Sequence, residues 1–317
     1  NALGSVVHGD MNGVQITGLA NLAGGTMRGV QLAGISNISG NNTVGLSAAG
    51  LVNITGDRTQ GVIISGLTSI GGDNTSGLMI SGFMNVTGNM ASGLHFSGAA
   101  NITGQSFGGL MASGLLNVVG EHMNGLQMAG IANITASKLN GVQIALCNYA
   151  TQARGLQIGL VNYYKEDMKG FQLGLVNANP DTRVQMMVYG GNATPANIGV
   201  RFKNQLFYTI LGIGSMYQGL NDKFSASASY RAGLSFTLYK GLSISGDLGY
   251  QHIEAFDNKD EVIPKRLYAL QARANLEYQF TRKFGIFATG GYGLTRFYNK
   301  SSNYDKGAII EAGIVLF

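Results

Sequence analysis

Two stretches, GLMISGFMNVTGNMAS at 77–92 and GLQMAGIANITASKLN at 125–140, carry the pattern that decides the fold of the first half of the chain. Apolar residues alternate with small or polar ones inside each stretch, which is a strand-like period. A unit of this kind begins with glycine every 16 residues, at Gly13, Gly29, Gly45, Gly61, Gly77, Gly93, Gly109, Gly125 and Gly141. Looser units begin at Gly155 and Gly170. Because one unit is too short to bury a core, we predict a parallel β-solenoid of about eleven stacked coils over residues 1–180.

The columns of the repeat indicate which side chains face the interior. Counted from the glycine, positions 2, 4, 7 and 10 are apolar, and position 9 is usually asparagine. If the apolar positions point inwards, positions 3 and 8 point outwards, and in the middle units these hold apolar residues. The prediction is an exposed docking strip formed by Ile63, Met79, Met84, Met111 and Leu116. The pattern leaves open the alternative that a bulge shifts the inward assignment.

The composition excludes several other classes of protein. The 317 residues include 49 glycines, three prolines, one cysteine and no tryptophan, and only 12% are charged. Glycine without proline or a Gly-X-Y period excludes collagen, and this much glycine argues against a long helical bundle. The net charge of +5 is diffuse, so no nucleic-acid partner is expected. His95 and His122 occupy different repeat positions without an acidic or cysteine cluster, so neither a metal nor another cofactor is expected.

Period-2 alternation replaces the repeat from about Arg183. Eight segments fit strands: 184–190, 197–203, 205–216, 225–239, 242–254, 266–280, 284–294 and 307–317. Long apolar faces and aromatic residues near the strand ends favour a membrane barrel over a soluble sandwich. The ending AGIVLF resembles the C-terminal signature of bacterial outer-membrane barrels, although Phe317 is out of phase with the apolar residues before it. We predict an eight-stranded antiparallel transmembrane β-barrel over residues 181–317.

The links between these segments predict the orientation of the barrel. Short links fall near Asn204, Lys240 and Thr281, and longer polar links fall at 217–224, 255–265 and 298–305. Bacterial barrels have short periplasmic turns and longer external loops. Both ends of the barrel should therefore lie on the periplasmic side, with the solenoid in the periplasm.

Polar residues on the inward face of the barrel suggest a buried ion-pair network of Arg201, Arg231, Asp247, Arg273, Glu277 and Glu311. A proton or ion path is the alternative. His252 and Glu254 lie near the outer end of a strand. Some small barrels are lipid-modifying hydrolases with a histidine–serine pair, but no serine is convincingly placed against His252.

The last units of the repeat resemble a known family. GVQIALCN at 141–148, GLQIGLVN at 155–162 and GFQLGLVN at 170–177 are similar to the G-[VLF]-Q-[IL]-x-L-x-N units of a bacterial surface-repeat family. The resemblance covers roughly residues 13–177 and implies an envelope location and a repeat fold, without an active site.

The sequence thus leads to three functional hypotheses. The first is a non-enzymatic outer-membrane protein whose barrel, in contact with outer-membrane lipid, anchors a solenoid that serves as a docking or spacer module. Its partner would be an envelope protein or a second copy of the chain. The others are a small pore or transport accessory, and a lipid-directed enzyme that uses His252.

Overall fold

The computed structural model describes residues 3–215, 220, 224–256, 266–299 and 302–316, which excludes the predicted C-terminal signature residue Phe317 and most of the predicted long links. The chain divides into two compact units, residues 1–174 and 175–317, and each is described by itself. The predicted fold class is confirmed, since a parallel solenoid sheet is followed by a closed antiparallel barrel. Within the described ranges, no helix is long and apolar enough to cross a membrane.

Most coils of the solenoid contain one long and one short strand. The long strands are β2 (Met11–Thr17), β4 (Met27–Ala33), β6 (Thr43–Ala49), β8 (Thr59–Ser65), β10 (Thr75–Ser81), β12 (Ala91–Ser97), β14 (Ser106–Ser113) and β16 (His122–Ala129). The short strands are β1 (Gly4–Val7), β3 (Ala20–Ala23), β5 (Ser36–Ser39), β7 (Val52–Thr55), β9 (Thr68–Gly71), β11 (Met84–Thr87), β13 (Ala100–Thr103) and β15 (Leu116–Val119). In the last coils the two strands merge into β17 (Ala132–Ile144), β18 (Cys147–Ile158) and β19 (Val161–Leu173). The short strand β20 (Val176–Ala178) follows at the start of the second unit.

Consecutive coils pair in register, so that every column of the repeat becomes a ladder. Gly77 lies opposite Gly93, which lies opposite Gly109, and Asn85 lies opposite Asn101 in the same way. The register shifts at irregularities in the merged strands, where units of 14 and 15 residues replace the 16-residue period. A side chain repeated in one column therefore meets its own kind in the next coil.

The asparagine column is the clearest of these ladders. The side-chain amide of Asn101 donates to Oδ1 of Asn117 at 2.9 Å, and Asn117 donates to Oδ1 of Asn133 at 3.0 Å. Each amide also donates to a backbone carbonyl of the next coil, as Asn117 does to Met128 at 2.7 Å. The ladder thus provides hydrogen-bond partners both for the buried side-chain amides and for backbone carbonyls of the next coil. This explains the recurrence of asparagine at position 9.

The second unit is a barrel of eight antiparallel strands. Its strands are β21 (Arg183–Gly191), β22 (Ala196–Asn204), β23 (Phe207–Ser215), β24 (Ser225–Tyr239), β25 (Leu242–Ala255), β26 (Arg266–Thr281), β27 (Phe284–Phe297) and β28 (Asn303–Leu316). Pairing of β21 with β28 closes the ring, with Met186 opposite Leu316. Closure removes both sheet edges, which is what a sheet in lipid requires.

Turns of two residues join three of the barrel hairpins, at 205–206, 240–241 and 282–283. Strand pairing places these turns at the end where Arg183 begins β21 and Leu316 ends β28. The short turns, the start of β21 and the end of β28 therefore all lie at the same end of the barrel, as expected from the link lengths.

Candidate binding surface and barrel interior

The predicted docking strip is wrong as a surface feature. Ile63, Met79 and Met111 are 2%, 1% and 0% exposed and lie inside the solenoid, whereas Met84 and Leu116 are half-buried on its outer side. The interior is formed by positions 3, 5, 9, 11 and 15 of the repeat. Positions 2, 4, 7 and 10, which we expected to be inside, lie outside or at its margin.

The physical reason for this inversion is that stacked side-chain amides satisfy one another. Gln143 donates to Oε1 of Gln127 at 2.8 Å, and Gln157 donates to Oε1 of Gln143 at 2.9 Å. A buried amide is costly only when it lacks a partner, and a ladder supplies one from each neighbouring coil. Where the glutamines of position 3 are missing, the interior holds Ser47, His95 and three apolar side chains, and Met111 packs there with Phe107 and Met123.

Apolar side chains consequently cover much of the outer surface of the solenoid. Positions 2 and 4 hold only apolar residues in every unit from 13 to 173, and position 7 does so in every 16-residue unit. Position 7 forms the corner between the long and short strands. Seven of its residues expose 42–55% of their surface: Leu19, Ile35, Leu51, Leu67, Phe83, Leu115 and Ile131. In the shorter last units, Leu146 and Leu160 align with this column and are each 49% exposed. We call the outward residues of positions 2, 4, 7, 8 and 10 the apolar rows.

A polar edge completes the circumference of each coil. Residues 3–164 contain eight charged side chains, and all of them occupy positions 13, 14 or 16: Asp10, Arg28, Asp57, Arg58, Asp73, Glu121, Lys138 and Arg154. We call these three outward positions the polar edge. Sorting the charges by column would have identified the apolar rows from the sequence, because the rows contain no charge.

His95 is the one histidine in the described part of the position 3 column. It lies between Met79 and Met111 in register, is 1% exposed, and meets the ring of Phe107 edge-on at 5.0 Å. Burial lowers the pKa of His95 from 6.5 to about 4, because the interior does not solvate the charged imidazolium. His95 is therefore neutral in the folded solenoid near pH 7.

We expect His95 to make the solenoid less stable in acid. Between pH 6.5 and about 4 the unfolded chain binds a proton that the folded chain excludes, so stability falls as the pH falls through this range. The full loss is about 3 kcal/mol, and His95→Met should abolish this part of the pH dependence. The measurement is the far-UV circular dichroism melting temperature at pH 7, 5.5 and 4. His122→Gln, at an exposed histidine of the polar edge, is the control, and an unchanged slope in His95→Met would contradict the assignment.

All six residues of the predicted lumen network lie in the barrel interior, and none is more than 7% exposed. Arg201 donates to both carboxylate oxygens of Glu277, at 2.6 and 3.0 Å. Arg273 donates to both oxygens of Glu311, at 3.1 and 3.2 Å. Arg231 donates to both oxygens of Asp247 at 2.8 Å and lies 3.6 Å from Glu311. Three arginines and three carboxylates therefore form bidentate ion pairs inside the barrel.

Neutral side chains extend this network across the lumen. Tyr208 donates to Asp247 at 2.7 Å, and Asn275 donates to the same oxygen at 2.8 Å. Thr289 donates to Asn275 at 2.6 Å, which connects β27 to the network. Side chains thus fill the space that an open channel would need, as expected for eight strands.

The outer face of the barrel is apolar and ends in aromatic residues. Leu234, Leu248 and Ile310 are 46%, 72% and 67% exposed on this face. At the end with the short turns, Phe280 packs against Tyr278 and Phe284 at ring distances of 4.9 and 5.9 Å. At the opposite end, aromatic rings also cluster: Tyr250, Tyr268 and Tyr298. A closed barrel with a buried ion-pair network, an apolar outer face and aromatic clusters at both ends has the architecture of an outer-membrane β-barrel.

His252 belongs to the second aromatic cluster. Its Nδ1 lies 2.7 Å from the hydroxyl of Tyr298, and its Nε2 lies 3.6 Å from Glu254. Its cross-strand neighbours are Ala228 and Tyr268. Among the described residues, no group of three or more histidine, cysteine, aspartate or glutamate side chains could hold a metal ion.

The chain has a low-level similarity to a solved structure. The N-terminal β-barrel domain of Pseudomonas aeruginosa OprF matches with 15% identity and a TM-score of 0.30, over 42% of this chain and 93% of that chain. A likeness of this size does not bear on function. Neither a family model nor a curated protein matches the chain.

Proposed function

We propose that this chain is a non-enzymatic outer-membrane protein whose barrel anchors a solenoid that acts as a docking module for an envelope component. The observation that carries the proposal is the reversed polarity of the barrel, with Arg231 1% exposed inside and Leu248 72% exposed outside. Such a ring is stable in lipid, because its backbone is paired all round and its outer side chains are apolar. The apolar rows of the solenoid supply the docking surface.

The filled lumen supports an anchor rather than a pore. The Arg231–Asp247 and Arg201–Glu277 pairs occupy the interior, and within each pair the positive and negative charges neutralise one another. Moving an ion past them would require breaking buried ion pairs, which is expensive.

The link lengths support a periplasmic solenoid. The three two-residue turns lie at the end of the barrel where its first strand, β21, begins and its last strand, β28, ends. Short turns are periplasmic in bacterial barrels. The chain that precedes β21 would then be on the periplasmic side.

The anchoring part of the proposal is tested in the membrane. We expect the chain to fractionate with outer membranes, to shift its electrophoretic mobility on heating, and to give no conductance in planar bilayers. Protease added to intact cells should spare residues 13–177 until the cells are permeabilised. Steady single-channel currents would contradict the anchor, and cleavage in intact cells would contradict the periplasmic placement.

The docking part is tested with two double variants, each of which introduces two lysines. Leu115→Lys with Ile131→Lys places two cations in the apolar rows, at residues 49% and 51% exposed. Ser92→Lys with Gln105→Lys places two cations on the polar edge, where both residues are exposed. We expect the first variant to lose retention of envelope components in mild-detergent purification and the second to keep it. Equal retention by the two variants would remove the apolar rows from the proposal.

A further inference from the structure

We infer that the apolar rows of the solenoid lie against the acyl chains of a lipid surface, with the polar edge at the headgroups. This inference rests on the proposed function and names the occupant of the docking surface. Its first support is the distribution of charge, since all eight charged residues of 3–164 lie on the polar edge. An element with one polar strip and an otherwise apolar circumference is the arrangement of proteins that lie in a membrane interface.

The asparagine ladder and the paired backbone of the solenoid are suited to an apolar environment. The buried amides of Asn101 and Asn117 have partners in the next coil, and the backbone pairs from coil to coil. Polar groups that are satisfied internally need no water, which is the condition lipid imposes on a protein. The outer side chains of positions 2, 4 and 7 are hydrocarbon, thioether or, at Cys147, thiol groups without strong hydrogen-bonding atoms.

The shape of the apolar surface favours lipid over a protein partner. The rows run along both strands of each coil and round the corner at position 7, so the surface is convex and continues over about eleven coils. A protein interface carries about one hydrogen bond per 100–200 Å² and covers a compact patch, whereas these rows offer almost no donors or acceptors. Acyl chains can follow a convex surface and need no polar contact.

Two tyrosines mark the boundary between the rows and the edge. Strand register aligns Tyr149 and Tyr163 with Ile134 at position 10, next to the polar edge. Their rings stack at 5.8 Å with an angle of 8° between them. Both are half-buried, and the hydroxyl of Tyr149 lies 3.4 Å from Thr151 Oγ1. Tyrosine is favoured at membrane–water interfaces because it has an apolar ring and a polar tip.

The single cysteine provides the test. Cys147 is exposed on the apolar side, between Ala132 and Val161 in register. A nitroxide attached to it in the full chain, reconstituted at high dilution in phosphatidylethanolamine–phosphatidylglycerol vesicles, reports collisions with oxygen and with a water-soluble nickel chelate. The matched control carries Cys147→Ser and Ser92→Cys, which moves the label to the polar edge.

We expect the Cys147 label to collide several-fold less with nickel and more with oxygen than the Ser92 label. Equal nickel access at both sites would show that water covers the rows and would overturn the inference. Loss of both oxygen and nickel collisions at Cys147 would show that a second copy covers the rows and would also overturn it. Vesicle flotation and heat-modifiable mobility of the same samples report on the barrel. A failed lipid contact with an inserted barrel is therefore distinguishable from failure of the anchor itself.

Discussion

Gly109→Ala is expected to destabilise the middle of the solenoid strongly. Gly109 has φ of +127°, and a Cβ there would press against the backbone oxygen of Gly93 and lie 3.1 Å from its backbone carbon and nitrogen. Since Gly93 is itself held in the ladder, the clash cannot be relieved by moving one side chain. We expect a loss of about 3–5 kcal/mol, which combines the strain of positive φ with overpacking against backbone.

The neighbouring glycine is the control for this experiment. A Cβ added to Gly108 meets nothing within 4 Å, and Gly108 is not among the glycines with positive φ. Gly108→Ala should therefore change the stability by no more than about 0.5 kcal/mol. The measurement is chemical denaturation of the full chain followed by far-UV circular dichroism. Similar midpoints for the two alanine variants would refute the packing of the glycine column.

Asp247→Asn is expected to destabilise the barrel through the charge it leaves behind. Asp247 accepts two hydrogen bonds from Arg231 and one each from Tyr208 and Asn275, and all of these groups lie in the lumen. The amide keeps the volume of the carboxyl group, but among the described residues it leaves Arg231 with Glu311, at 3.6 Å, as its one remaining anionic neighbour. We expect a loss of about 3–5 kcal/mol, as for other buried pairs that lose one partner.

Two further variants distinguish the effect of the unpaired Arg231 charge from a nonspecific effect of substitution on stability. Adding Arg231→Gln to Asp247→Asn removes the uncompensated cation and should restore much of the stability. Asp305→Asn, at an exposed carboxylate of β28, should stay within about 0.5 kcal/mol of the parent chain. Urea unfolding monitored by the heat-modifiable mobility of the barrel reports the effect. An unrestored double variant would argue against the ion pair as the cause.

Much of the architecture was predictable, because it depends on period alone. The 16-residue spacing of glycine and asparagine predicted coils whose equivalent residues pair in register, as Asn101 and Asn117 do. Period-2 alternation predicted residues 225–239 as a strand, and β24 has those bounds. It also placed Arg231 and Asp247 on the same side of the barrel wall, and the structure pairs them.

The chain could be divided by its sequence into a stacked repeat and a barrel, because periods of 16 and of two are properties of local order. Which face of each coil is buried was decided only in the tertiary structure. Alternation puts Leu78 and Met79 on opposite faces, but it does not say which face is inside. The usual rule that apolar residues are buried failed, because stacking lets each buried amide meet its counterpart in the next coil. That contact exists only after the coils have assembled, and it leaves the apolar rows outside, free to meet lipid.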